Sequence, residues 1–193
     1  MPTRTSSGVS SVSSPFSEQI SNSWPKADKL ARPLKRRIPF QLPEGFALLE
    51  KKDTSQGFST GDRRMDIYDL EDYYRWSIEP NSCSIVYKVE VRVWGVMNLE
   101  MREDHVYIAM LGRNVVAVGP VGSLLVRVAE DIARELGKPE VRLDSLDTAV
   151  IFYDEKCGYE EYADRFHEEG FGVLTPKKKR LQPLPSLSSL SSS

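Results

Sequence analysis

Gly119 and Gly122 stand just before and inside the first turn of VGSLLVRVAEDIARELG, a segment patterned as an amphipathic helix. Without side chains at those points, the chain can bring backbone N–H groups close to an anion, and the positive end of a helix favours negative charge. Such a stretch could cradle phosphate. The same glycines also suit a loop that needs them only for its turn, and spacing alone does not separate the two readings. Four carboxylates, Glu100, Glu103, Asp144 and Asp147, are candidates for proton transfer by residue type, although surface acids are mostly solvated charges. The two cysteines, Cys83 and Cys157, lie far apart without metal-ligand spacing and are too few for a disulfide framework. His105 and His167 form no ligand cluster, so each reads as a surface or hydrogen-bonded histidine, and no metal is expected.

The elements that must position these residues follow from periodicity. In the glycine-led helix, Val121, Leu124, Leu125, Val128, Ile132 and Leu136 recur on one face. Arg127, Glu130, Asp131, Arg134 and Glu135 take the other, with Glu130 and Arg134 as an i,i+4 pair. Val141 to Leu146 follows as a strand, then a helix from Asp147 or Thr148 to Lys156 with Ala149, Phe152 and Tyr153 inward and Gly158 at its end.

Upstream, Phe46 to Lys52 makes a short first strand. Thr60 or Asp62 caps a helix over Arg63 to Trp76, whose Met65, Ile67, Tyr68, Leu70, Tyr73 and Tyr74 cover more than one side. CSIVYKVEVRVWGVMNLEM reads as two strands joined near Lys88 to Arg92, and Gly95 marks a bulge or a close backbone approach. HVYIAMLGRNVVAV reads as a central strand buried on both faces. Two late strands, Tyr159 to Tyr162 and Gly170 to Lys179, complete the order β, α, ββ, β, α, β, α, ββ. That order predicts an α/β (α+β) fold, a mixed central sheet with helices on its faces.

The chain has 193 residues and 40% hydrophobic content, enough for one core. Residues 1–43 form a Ser-rich and then basic arm containing Lys35, Arg36 and Arg37, and residues 182–193 form a Ser-rich tail; both are expected to be disordered. The folded domain is expected over residues 44–181. Residues 1 to 45 carry +4, from seven Lys or Arg against three Asp or Glu, and residues 46 to 181 carry −6. This is not a basic nucleic-acid-binding body. No apolar run approaches the roughly 18 residues of a membrane span, and the N-terminus lacks the apolar core of a signal peptide. A soluble, cytoplasmic protein is the expectation.

With these segments in hand, residues 46 to 181 resemble the GNAT superfamily of acyl-CoA-dependent N-acyltransferases. LDSLDTAVIFYDEKCGY (Leu143 to Tyr159) is similar to that family's strand, helix and turn, and VGSLLVRVAEDIARELG to the helix after its pyrophosphate-binding loop. FSTGDRRMDIYDLEDY, MLGR and FGVLTPKKKRL resemble a subgroup that includes toxins acetylating aminoacyl-tRNA.

The resemblance implies acetyl-CoA as co-substrate, with contacts from Val116, Val118, Gly119, Val121, Gly122 and Ser123, and Tyr153 as the acid that protonates the departing thiolate. Against the family's loop pattern Q/R-x-x-G-x-G/A, Ala117 stands where Gln or Arg is expected and Pro120 where glycine is, which removes one N–H donor. The implied function is N-acetylation of a primary amine on a small molecule or peptide; the damaged loop keeps open a scaffold module that has lost catalysis. A tRNA acceptor is disfavoured by the acidic body, unless Lys177, Lys178, Lys179 and Arg180 cluster with the basic arm rather than ending a strand in solvent. A homodimer is left open.

Overall fold

The computed structural model describes residues 41–183. The arm over residues 1–40 and the tail over residues 184–193 lie outside the described residues. Eight strands form one sheet in the order β1-β2-β3-β4-β5-β8-β6, with β7 also paired to β8. They are β1 (Phe46–Leu48), β2 (Ser82–Val89), β3 (Arg92–Met101), β4 (Val106–Arg113), β5 (Glu140–Leu146), β6 (Glu160–Glu161), β7 (Phe166–Glu168) and β8 (Gly172–Arg180). Among the described residues, only β4 and β5 run parallel; every other pair is antiparallel. The element order matches the one read from periodicity, with β7 as an addition.

Helix α1 (Leu70–Trp76) packs on β2 and β3, and α2 (Val121–Glu135) on β3, β4 and β5. Successive strand residues point to opposite faces. Ser84 Oγ donates to Tyr73 O on α1, whereas its neighbours Cys83 and Ile85 belong to the cluster around α2, so the two helices flank opposite faces of the sheet. The α2 cluster joins Leu125, Ala129 and Ile132 to Met97, Leu99, Val106, Ile108, Val141 and Leu143.

Several expectations need correction. The helix expected from Arg63 begins only at Leu70, because the side chains of Asp62 and Asp66 compete for the backbone upstream. Asp62 Oδ1 accepts from Arg64 N at 2.9 Å, and Asp66 accepts from Thr60 N at 2.6 Å and Gly61 N at 3.2 Å. Asp69 then caps α1, accepting from the amides of Glu71 and Asp72. The first strand is shorter than expected, giving way to a 3-10 turn at Lys51–Asp53. β4 buries residues on both faces, as expected: Val106 and Ile108 face α2 before the extra residue Ala109, Met110 and Gly112 face the other side after it, and Tyr107, Ala109 and Leu111 are half-buried. The helix expected after β5 is wound in pieces: a 3-10 turn, Asp147–Ala149, leads into a π-wound segment, Phe152–Cys157, closed by left-handed Gly158 at φ 71°.

Charges placed in solvent by pattern are also buried. Glu130 is 6% exposed and makes ion pairs with Lys179 at 2.9 Å and Arg134 at 3.4 Å. Lys177, 1% exposed, pairs with Asp154 at 2.5 Å and Glu161 at 3.6 Å. These lysines bolt β8 to α2 and to the π-wound segment rather than ending a strand in water. Asp154→Ala is expected to cost about 1–2 kcal/mol in urea unfolding, because Lys177 would keep only Glu161; the usual buried-pair loss is reduced since Asp154 is itself 39% exposed. Lys177→Met, which removes the charge and keeps the apolar stem, should cost less. A larger loss for Lys177→Met would show that the ion pairs stabilise by more than burial of the charge costs.

Candidate active site

β4 and β5 pair only at Val106↔Val141, Tyr107↔Arg142 and Ile108↔Leu143. Beyond Ile108 each strand keeps its outer partner, β3 or β8, but the two no longer pair with each other. The β3–β4 register slips between Asn98 and Leu99, so Ala109 is an extra residue on β4, and such a bulge bends the strand that carries it. The fork leaves backbone donors and acceptors along two facing edges. An extended ligand with its own amide groups can hydrogen-bond to such edges.

The loop from β4 to α2 is braced from below. Asn114, 5% exposed, receives the Val116 N–H on its Oδ1 at 3.2 Å and donates through Nδ2 to Val93 O at 3.3 Å. Ala117 N donates to Asn114 O at 2.9 Å, and Arg113 Nη1 to Ala117 O at 3.3 Å. The Val116 amide is thus already engaged. Among the described residues, the amides of Val118, Gly119, Val121, Gly122 and Ser123 find no protein acceptor, and they surround the positive end of α2. Gly119 has φ 83°, a backbone state that favours glycine. Gly122 lies against Phe152, where a Cβ would come within 3.1 Å of Cζ. Pro120 supplies no N–H but occupies the N-cap, its carbonyl accepting from Leu124 N at 3.0 Å.

Tyr153 belongs to the same buried cluster as Ile108 and Leu143, the last pair before the fork. The Gly158 turn anchors its carbonyl, which accepts from Tyr159 N at 3.0 Å. Its ring packs edge-on to Phe152 at 4.9 Å and to Tyr159 at 5.9 Å. No hydrogen bond from a described residue occupies its hydroxyl, and burial, with Cys157 adding to it, raises its pKa, so the phenol holds its proton. A π-wound turn often marks a functional position.

The candidate carboxylates separate by position. Glu100 is tied to Arg102 at 3.0 Å, Asp147 to Arg64 at 2.8 Å, and Glu103 contributes its carbonyl to Lys138. Asp144 sits one residue past the last β4–β5 pair and accepts from Tyr107 Oη at 2.6 Å. Pattern reading missed Tyr107, hidden in an apolar run, and Arg64, whose guanidinium joins Asp62, Asp147, Thr148 Oγ1 and Phe171 O. Arg64 thereby fastens the passage before α1 to the end of β5. His105 is hydrogen-bonded, its Nδ1 2.6 Å from Asp104 Oδ1. Both cysteines are free and buried; burial raises Cys83 to about 12 and, with Glu130 adding to it, Cys157 to about 11, which keeps them as thiols. No group of three metal-ligating side chains occurs among the described residues.

No protein-family model matches the sequence, and no curated protein matches it. Solved structures do. An acetyltransferase of Bacillus subtilis in complex with CoA is 17% identical with a TM-score of 0.50, the match covering 71% of this chain and 98% of that one. An acyl-CoA N-acyltransferase from Pseudomonas aeruginosa is 14% identical (TM-score 0.49; 60% of this chain, 84% of that one). The PaiA N-acetyltransferase from Thermoplasma acidophilum, in complex with coenzyme A, is 15% identical (TM-score 0.48; 60% and 74%). At these identities the likeness is one of fold: a mixed sheet flanked by helices, as in the GNAT acyltransferases. No helix among the described residues is long and apolar enough to cross a membrane.

Proposed function

With the GNAT fold as premise, we propose that this protein binds acetyl-CoA and transfers its acetyl group directly to a primary amine. The observation that carries the reading is that the amides of Val118, Gly119, Val121, Gly122 and Ser123 have no acceptor among the described residues and precede or open α2, which follows a strand, β4, that parts from β5. These groups fit a pyrophosphate followed by an extended, amide-bearing thioester arm. The thioester supplies an activated acyl group. Tyr153, on a buried turn next to the fork, keeps its proton and donates it to sulfur as the C–S bond breaks. Pro120 and the engaged Val116 amide thin the cradle without closing it. A small-molecule or peptide amine suits the acidic body better than tRNA, since Lys177 and Lys179 are committed to carboxylates.

Titration with acetyl-CoA tests the reading. A ligand that binds only the native state at a hundredfold excess over Kd stabilises by about 2.7 kcal/mol. A rise of several degrees in Tm is the expected result. No shift and no calorimetric binding at millimolar acetyl-CoA would sink the transferase reading and leave a GNAT-shaped scaffold.

A further inference from the structure

The geometry points to Asp144, held by Tyr107, as the group that takes the proton from the incoming amine, an assignment resting on the transferase reading. A protonated amine has no lone pair for attack, so a base must meet it on the side from which it approaches. Val106, Ile108, Val141 and Leu143 all face the α2 cluster. Alternation therefore turns Tyr107 and Asp144 to the α1 face, while Tyr153 comes from the α2 side. Acid and base thus lie on opposite sides of the sheet, Asp144 at the closed end of the fork and Tyr153 in the cluster that holds Ile108 and Leu143. Asp144 is the one candidate carboxylate at that end, and its bond from Tyr107 spans the two strands just where they part.

The surroundings keep this carboxylate available. Tyr107 is half-buried, and its phenol is pushed well above the ordinary range by burial first and the Asp144 charge second, so it remains a hydrogen-bond donor. From β3, Arg102 lies over the Tyr107 ring at 4.2 Å and pairs with Glu100. On β5, Arg142 pairs with Glu140 and with Asp104 at 3.1 Å and lies over the Tyr162 ring at 5.4 Å. Lys178 of β8 approaches that ring at 5.9 Å. The neighbouring cations are occupied by other carboxylates, so none is ion-paired to Asp144.

The transfer balances. The amine nitrogen forms the N–C bond and the C–S bond breaks. Asp144 takes one ammonium proton and passes it to solvent, Tyr153 protonates the sulfur, and the second nitrogen proton restores the Tyr153 phenol. One proton is released per turnover.

The full chain is assayed for thiol release from acetyl-CoA with two probe amines: propylamine, which is protonated at neutral pH, and hydroxylamine, which is already neutral. Asp144→Asn, which keeps an acceptor for Tyr107, should lower kcat/KM for propylamine by about 10²–10⁴-fold and for hydroxylamine by less than about tenfold. Equal losses with both amines, or none with either, overturn the assignment while leaving the transferase reading in place. Absence of thiol release from the unmodified chain with both amines overturns the assignment, and acetyl-CoA titration of the same sample then decides separately whether the transferase reading fails as well. Tyr107→Phe deletes the donor but keeps the base. A positioning role predicts a selective loss in that variant: kcat/KM should fall about tenfold or more with propylamine and stay within a few-fold with hydroxylamine, at unchanged acetyl-CoA affinity. Equal losses with both amines, or no loss with propylamine, would remove Tyr107 as the positioning residue.

Discussion

Tyr153→Phe is expected to lower kcat by about 10²–10⁴-fold, the usual contribution of a positioned acid, while acetyl-CoA affinity stays unchanged. The substitution removes one oxygen and keeps the ring that packs against Phe152 at 4.9 Å and Tyr159 at 5.9 Å. Since no hydrogen bond from a described residue is lost, folding should be undisturbed. Burial raises the Tyr153 pKa, so the proton-donating form persists through neutral and mildly alkaline pH. The wild-type profile should therefore show no alkaline loss of kcat near pH 10, where an ordinary tyrosine would ionise. Steady-state kinetics with a calorimetric titration separates the terms. A variant with weakened acetyl-CoA binding and intact kcat would make Tyr153 a packing residue.

Gly95→Val should be the most disruptive single change to the scaffold. A Cβ at Gly95 would lie 2.6 Å from Val121 Cγ1 and 2.8 Å from Leu125 Cδ1, inside van der Waals contact, and those side chains are 1% and 0% exposed. With no room to turn aside, they can yield only if α2 lifts from the sheet. Overpacking of this kind costs about 1–3 kcal/mol, and valine belongs at the upper end. Because Val121 opens α2, the same displacement shifts the unpaired amides of its first turn, so acetyl-CoA affinity should fall together with the urea midpoint. Gly57→Ala is the control: a Cβ there meets nothing within 4 Å, and stability should hold or rise slightly. Equal stability of the Gly95 and Gly57 variants would show that α2 is not held at this distance.

The two glycine sites show how differently residues disclose their roles. Gly95 inside a run of strand formers announces either a bulge or a close approach, and both are present: β2 and β3 slip register between Tyr87 and Lys88, opposite this glycine, and α2 lies against it. Gly158 after FYDEKC announces a helix end, which its φ of 71° delivers. Such features are legible because a backbone state or a missing Cβ acts within a few residues. The α1 boundary was not legible from apolar spacing, since Met65, Ile67 and Tyr68 continue a helical pattern while Asp62 and Asp66 draw the backbone into turns. The Asp69 cap three residues before Asp72 was the signal that would have found it. Lys177 looked like part of an exposed basic run because composition does not reveal which strand face meets Asp154.

Local chemistry, then, set the order of elements, the amphipathic face of α2 and the turn that presents Tyr153, all properties of contiguous residues. The candidate site arises at longer range. Whether β4 and β5 stay paired past Ile108↔Leu143 depends on a bulge at Ala109 and on competing partners β3 and β8, which no window of sequence contains. That parting leaves facing strand edges, while the pairing just before it brings Tyr107 within 2.6 Å of Asp144 across 37 residues, and Tyr153 joins the buried cluster that holds Ile108 and Leu143. Hydrogen bonding between distant strands, rather than the propensity of either one, made the fork into a candidate active site.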